Sequence, residues 1–227
     1  TLTGAASAST TTDTSGNYTF SGLANGSYTV TPSKSGYTFS PTSIAVAISG
    51  ANQTGKNFTS TASGGSTTLF TNDFSSSTGW AQADTYGTAG SWTRVTTGTY
   101  PTCSPHSASY MAKFNSYNAS ANSATRYYRT SGFSTSGYST VTLTFWMYHD
   151  TGYSSNADSI QPQVSTNGTT WVSVGSAINR YDGSTGWKLH TVNISSYAGQ
   201  SALRVAFLAT SKYGNNMYID DVTVTAQ

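Results

Sequence analysis

The sequence predicts an all-β protein built from two sandwich modules, and three observations predict it. Large apolar or aromatic side chains alternate with small polar ones in Tyr18-Thr-Phe20, Tyr28-Thr-Val30, Tyr37-Thr-Phe39 and Val141-Thr-Leu-Thr-Phe-Trp-Met147, the period of a half-buried strand. Good helix formers are scarce: Glu is absent and all eight acids are Asp, while Thr and Tyr abound, a balance that favours strands. Gly, Asn, Pro and Ser punctuate the runs at short intervals, and no helical period is sustained.

Composition narrows the class. Hydrophobic residues make up 36% of the 227, enough for a core. Charged residues make up 8%, against roughly 25% in ordinary soluble domains. With 16 Tyr, 9 Phe and 5 Trp the low charge does not signal disorder; it is typical of secreted bacterial β-proteins. The net charge of +2 is spread evenly, so no basic stripe offers itself to nucleic acid. No apolar run approaches the roughly 20 residues of a membrane helix. No leader is visible, so an exported form would be a processed or trimmed chain. Cys103 is the sole cysteine, which excludes an intrachain disulfide and fits a small semi-buried hydrophobe.

The elements divide at a Ser/Thr/Gly-rich stretch, Thr59-Ser-Thr-Ala-Ser-Gly-Gly-Ser-Thr67, of which 61–67 reads as a flexible linker. Before it, in residues 1–60, the strands are Tyr18–Phe20, Tyr28–Val30, Tyr37–Phe39, Ile44–Ile48 and Lys56–Thr59. Asn25-Gly26 between two alternating runs predicts a hairpin turn, and Pro32 and Pro41 punctuate the later strands. After it, residues 68–227 carry ten strands: Thr68–Phe74, Ser91–Val95, Tyr110–Asn115, Arg126–Arg129, Thr140–His149, Ser159–Ser165, Trp171–Ile178, Trp187–Ile194, Ala202–Ala209 and Asn216–Thr225. That many short strands with regular turns imply a sandwich or jelly roll. Val141, Leu143, Phe145 and Met147 share one face, as do Leu203, Val205, Phe207 and Ala209.

Two family resemblances follow from these motifs. Thr12-Asp13, Gly16-Asn-Tyr18-Thr-Phe20, Gly22-Leu23, Gly26-Ser-Tyr28-Thr-Val30, Pro32 and Gly36-Tyr37-Thr-Phe39 resemble the carboxypeptidase-regulatory-like, prealbumin-type Ig-like domains of bacterial surface proteins. That pattern normally begins one strand earlier than Thr1-Leu-Thr-Gly4, so the first strand of a small Ig-like β-sandwich is expected to be missing. Residues 68–227 look like a MAM-type jelly roll. The carrying motifs are Asn72-Asp73-Phe74, Gly79-Trp80, Val141–Tyr148, Gln163–Gly168 with Trp171, Trp187 with Ser196-Tyr-Ala-Gly199, and Tyr218-Ile-Asp-Asp-Val222. The disulfides of animal members are absent. Bacterial relatives mostly serve as non-catalytic binding or accessory modules.

Candidate chemistry is sparse. Without Glu, the His-Glu-x-x-His zinc motif and the Glu-terminated EF-hand are excluded. No Gly-x-Ser-x-Gly elbow or phosphate-cradling Gly loop is present. Cys103-Ser-Pro-His106 sets a thiol near an imidazole, but in a loop-like, Pro-rich segment. His149-Asp150 reads as a polar strand edge. Asp220 is expected on the inward face with Val222 and Val224, where an ionised carboxylate must be paired or bound. Asp73 lies on the first strand of this domain and Asp220 and Asp221 on the last, and these strands commonly adjoin in jelly rolls. Three converging carboxylates would suit a structural Ca²⁺, and the MAM resemblance implies a cation at this motif. The alternative is an Asp held by backbone amides or an Arg. Among the aromatics, Trp80, Trp92, Trp146 and Tyr148 are the candidate ligand contacts, with Tyr86 and Tyr213 also weighed. Trp146 and Tyr148 lie opposite the apolar face of their strand, so either a second layer covers them or they form a contact patch. The Asn-x-Ser/Thr sequons are expected by chance in so Ser/Thr-rich a chain.

The functional expectation is a secreted, non-enzymatic binding, adhesion or accessory protein at the cell surface, with a protein or polysaccharide as partner. A second reading is a subunit of an extracellular fibre, in which another copy donates a strand to the open edge of the first domain. A third is a peptidase or carbohydrate-active enzyme, against which the missing Glu and the lack of an acid/base pair count.

Overall fold

The computed structural model describes every residue except 35, 63 and 87–89. The chain forms two compact units, Thr1–Gly65 and Ser66–Gln227, both all-β.

In the first unit, β1 (Leu2–Gly4), β2 (Gly26–Val30) and β4 (Ile44–Ile48) form an antiparallel sheet in the order β1-β2-β4, and β3 (Tyr37–Ser40) pairs with β5 (Thr59–Ala62). Leu2, Tyr28, Val30 and Val46 make its small core. Gly4 lies where β1 closes on β2: its φ is +123°, and a Cβ there would stand 2.3 Å from the Ser27 carbonyl oxygen, so only glycine permits the pairing. Three expectations are corrected here. Tyr18-Thr-Phe20 is not a strand; its rings pack on the core with Phe58, and the Tyr18 hydroxyl donates to the Lys56 carbonyl at 2.6 Å. Asn25-Gly26 makes no hairpin, because β2 pairs with the distant β1 and β4 and the Asn25 side chain instead accepts the Gly50 N–H at 2.7 Å. Residues 56–58 lie outside any strand, and β5 runs into the segment expected as linker.

The second unit stacks two antiparallel sheets. One has the order β15-β11-β17-β9-β8, from β15 (Gly186–Asn193), β11 (Val141–His149), β17 (Met217–Ala226), β9 (Met111–Phe114) and β8 (Trp92–Val95). The second half of β17 also pairs with β6 (Thr67–Asn72). The other sheet has the order β13-β12-β16-β10-β7, from β13 (Val172–Ser173), β12 (Ser159–Ser165), β16 (Arg204–Thr210), β10 (Ala124–Arg129) and β7 (Trp80–Tyr86), with β14 (Ile178–Asn179) also on β12. The alternating runs of β11 and β16 face each other: Val141, Leu143, Phe145, Met147, Val205, Phe207 and Ala209 are wholly buried. Burial of each such side chain contributes about 1.5–3 kcal/mol.

One alternation breaks. Trp146 pairs with Asp220 but Thr144 with Thr223, a shift in register, and Asp221 takes φ +46°. One extra residue on β17 therefore faces β11, a β-bulge that inverts the strand's phase. Asp220 consequently shares the outer face with Trp146 and Tyr218, not the inner face with Val222 as expected.

Candidate functional site

Several connections meet at one end of the jelly roll: 96–110, 115–123, 150–158, 180–185 and 211–216. They are tied by a buried polar network. Arg180, wholly buried, pairs through Nη1 with Asp150 at 2.7 Å and through Nε with Asp158 at 3.1 Å, and Nη2 donates to the Tyr153 carbonyl at 3.1 Å. Asp158 Oδ1 accepts from Ser116 Oγ and from the Lys212 and Gly214 amides. Asp150 Oδ1 accepts from the Gly152 amide and Asn215 Nδ2. The Asn216 side chain accepts the Tyr117 amide and donates to the Thr99 carbonyl. A Cβ on Gly214 would stand 1.7 Å from Asp158 Oδ2, so glycine alone lets that loop approach. Beneath them, His149 Nε2 meets His190 Nε2 at 2.9 Å and His149 Nδ1 faces the Arg180 carbonyl at 3.0 Å. Burial lowers both histidines below their ordinary pKa, against the opposing pull of the Asp182 carboxylate.

On this frame stand exposed tyrosines. Tyr100, Tyr153 and Tyr213 are 54%, 50% and 55% exposed. The Tyr100 and Tyr117 rings stack at 4.0 Å, and Tyr117 meets Tyr153 edge-on at 6.1 Å. Tyr100, Tyr153 and Tyr213 have φ of +54°, +49° and +68°, the left-handed region that a bulky residue occupies only at a cost on the order of 1–3 kcal/mol. The network of the preceding paragraph holds them there. Arg180 offsets one of the two charges of Asp150 and Asp158, whose other oxygens accept from amides and a hydroxyl, and the surface carries mostly phenols, amides and hydroxyls, with Lys212 and Asp182 also exposed. Sequence reasoning weighed only Tyr213 and Tyr86 of the exposed tyrosines; the Tyr, Ser, Asn and Gly content of every connecting loop was the available signal.

The expected contacts fare differently. Trp80 and Trp92 are corrected to core positions: they are 9% and 3% exposed, and both stack on the Tyr127 ring, at 4.9 and 5.3 Å. Trp146 and Tyr148 lie on the outer face and are half-buried, because the 96–110 connection folds over them. His106 stacks on Trp146 at 3.8 Å, Trp187 Nε1 donates to the Ser104 carbonyl at 3.0 Å, and Cys103, Met111 and Tyr218 form a second small core packed by Tyr148 and Trp187. A second layer, made by the chain itself, covers this patch.

The carboxylates are engaged within the protein. Asp220, wholly buried, accepts the amides of His106, Ser107 and Asp221. Burial raises its pKa to about 6 against the opposing pull of these amides. Asp221 meets His106 Nδ1 at 2.6 Å and the Ser107 hydroxyl. Asp73 accepts the Ser75 amide at 2.9 Å, and the neighbouring Phe74 and Ser75 carbonyls receive the Arg94 guanidinium. Among the described residues no group of three or more His, Cys, Asp or Glu side chains is placed to hold a metal ion; Asp73, Asp220 and Asp221, expected from the sequence as a calcium set, are each engaged by protein donors. Nor do Cys103 and His106 form a nucleophilic dyad: the imidazole pairs with Asp221, and burial, then the Asp150 charge, push the thiol up to about 12, where no thiolate forms at neutral pH.

Comparison with known proteins supports this architecture. Residues 2–62 match the family described as BOS complex subunit NOMO1-like, second beta sandwich domain, and residues 71–227 match the MAM domain, meprin/A5/mu. No curated protein matches the chain. Among solved structures, the K2 cleaved adhesin domain of Lys-gingipain is 18% identical with a TM-score of 0.50, over 68% of this chain and 96% of that one. The K3 cleaved adhesin domain of Lys-gingipain from Porphyromonas gingivalis w83 is 20% identical with a TM-score of 0.47, over 71% and 99%. The family 11 carbohydrate-binding module from Clostridium thermocellum is 12% identical with a TM-score of 0.46, over 70% and 94%. At such identities the likeness is one of fold. The family match spans most of the chain and coincides with the jelly roll: the chain belongs to the MAM, meprin/A5/mu, domain family.

Proposed function

We propose that this protein is a non-catalytic adhesion module of the cell exterior, and that it grips a protein partner with the tyrosine-bearing loop end of its jelly roll. The observation that carries this is the set Tyr100, Tyr153 and Tyr213, each exposed and each held at positive φ. Strain of this kind persists where the surroundings over-determine the backbone, and it concentrates at binding sites. Tyrosines give large, rigid, amphipathic contact area at low entropic cost, and Ser, Asn and Gly around them give adaptable hydrogen bonds. The MAM family match and the charge-poor surface support the exterior setting; the absence of an activated nucleophile or acid/base pair among the described residues supports binding without catalysis.

The test is adhesion of the purified protein to isolated cell-surface material, measured before and after protease treatment. Retention that protease abolishes, and that Tyr100→Ser with Tyr153→Ser weakens at least tenfold, is expected. The absence of any protease-sensitive retention, or a protease-sensitive retention indifferent to both tyrosines, would overturn the proposal.

A further inference from the structure

A second surface lies apart from the loop end, on the outer face of the sheet β13-β12-β16-β10-β7. The register aligns its side chains in rows. One row runs Ala81, Tyr128, Ala206, Gln163, Ser173, and the next Ala83, Arg126, Leu208, Gln161. Small residues on β7 and β16 keep the floor low. Trp171, just before β13, meets Tyr128 at 5.4 Å and lies 5.5 Å from the Arg126 guanidinium carbon. Tyr128, Trp171 and Arg126 are all half-buried, so each keeps part of its surface for a ligand.

Arg126 is the informative residue. Its Nε donates to Gln163 Oε1 at 2.7 Å, which leaves its Nη groups without an acceptor among the described residues. Burial lowers its pKa, so its charge is held at a cost with no counter-ion. The five strands hold a single carboxylate, Asp84, and it accepts from Thr125, which belongs to the buried face. Arg204 adds a second cation on the outer face, its one hydrogen bond among the described residues running from Nε to the Thr130 carbonyl at 3.1 Å. A shallow strip that sets two aromatic rings beside planar amide and guanidinium groups suits the face and edge of a pyranose. A half-buried guanidinium fork with no carboxylate on its face suits an anion bound through two parallel hydrogen bonds.

The geometry points to a site for an acidic polysaccharide, a uronate-bearing chain whose sugar rings lie against Trp171 and Tyr128 while a carboxylate meets Arg126. The long axis of the strip runs along β10 from Arg126 past Tyr128 towards Arg204. No covalent step is involved.

Calorimetry and affinity electrophoresis of the full chain with polygalacturonate and alginate test it, with a neutral glucan and polyglutamate as comparators. Uronate binding that weakens with added salt, falls on the order of tenfold or more in Arg126→Gln, and drops likewise in Trp171→Ala is expected, with Arg126→Lys retaining charge but losing much of the gain. Far-ultraviolet circular dichroism and thermal melts establish that each variant is folded, and Arg204→Gln supplies a second charge variant distant from Trp171. Binding should survive Tyr100→Ser and Tyr153→Ser, which separates this site from the loop end. Equal binding to the neutral glucan, equal binding to polyglutamate, no binding to either uronate polymer, or a folded Arg126→Gln protein with undiminished affinity would each overturn it.

Discussion

Replacing Arg180 by Met should loosen the loop end and lower the stability of the jelly roll by about 3–5 kcal/mol, the usual cost of leaving a buried charge unpaired. The structure argues for the upper part of that range. Arg180 is wholly buried, it faces two carboxylates that are 0% and 5% exposed, and it also serves the Tyr153 carbonyl. Methionine fills the volume but leaves Asp150 and Asp158 facing each other without a cation. For a unit of this size, 1 kcal/mol corresponds to roughly 2–4 °C in Tm, so the melting transition of the jelly roll should fall by roughly 6–20 °C. Differential scanning calorimetry reads this directly, and any separate transition of the Thr1–Gly65 unit should stay in place. Adhesion should fall with stability, because Tyr100, Tyr153 and Tyr213 lose the frame that holds their backbone. A shift below about 3 °C, or a large shift with adhesion intact, would refute the network's role.

Four further outcomes are expected. Cys103 should resist maleimide at pH 8 until the protein unfolds, since its thiol is buried with a pKa near 12; prompt labelling would show that the 96–110 connection opens. Gly98→Ala should destabilise by about 1–3 kcal/mol, because a Cβ would stand 2.3 Å from Cys103 Sγ, and a melt indistinguishable from wild type would contradict the packing of that layer. The folded pKa of Asp220 lies above its unfolded value, at about 6, so its contribution to stability is present at low pH and lost as pH rises from about 4 through 6. His149 and His190, lowered by burial, act oppositely and lose their contribution as pH falls below about 6.5. The difference between wild type and Asp220→Asn isolates the first effect and should shift in the variant's favour by about 1–3 kcal/mol between pH 4 and 7; a flat difference would mean that Asp220 is not held neutral-leaning by burial. Adding Ca²⁺ to EDTA-treated protein should leave Tm unmoved, because backbone amides already serve Asp73 and Asp220 and Arg94 serves the neighbouring Phe74 carbonyl; a rise of several degrees would mean that Asp73, Asp220 and Asp221 rearrange around the ion.

The parts of the fold that were legible in the sequence are those where local pattern and final partner agree. Val141–Met147 alternates because β11 lies between core and covering layer, and Val205, Phe207 and Ala209 recur at every second position because one face of β16 packs on that core. β7 was not legible: in Trp80-Ala-Gln-Ala-Asp-Thr-Tyr86 the positions on the same face as Trp80 are the polar Gln82 and Asp84, and it is a strand because β10 pairs with it. The bulge at Asp221 was hidden because a non-glycine residue adopts the left-handed region there, and a one-residue slip reverses every side chain beyond it. Tyr18-Thr-Phe20 shows the reverse error, alternation without a partner strand. The site was less legible than the fold. Ring type did not distinguish Trp80 and Trp92, which fill the core, from Trp171, which stands over a sheet face. The tyrosines of the loop end are far apart in sequence, and only the strand order brings them together.

The edges of the first unit bear on the fibre reading. β1 has three residues and β4 five, and edges so short offer little for a second chain to extend. Sedimentation should therefore find a monomer at all concentrations tested, and a concentration-dependent polymer would favour strand exchange instead.

The most direct measurement of the central claim is adhesion of a variant carrying Tyr100→Gly, Tyr153→Gly and Tyr213→Gly. Glycine accepts positive φ without strain, so relief of strain should offset the lost ring packing and leave Tm within a few degrees of wild type. Adhesion to the protease-sensitive surface should drop by at least a hundredfold, the scale expected when several aromatic anchors are removed together. A folded triple variant that adheres as well as wild type would contradict the assignment of this loop end as the binding surface.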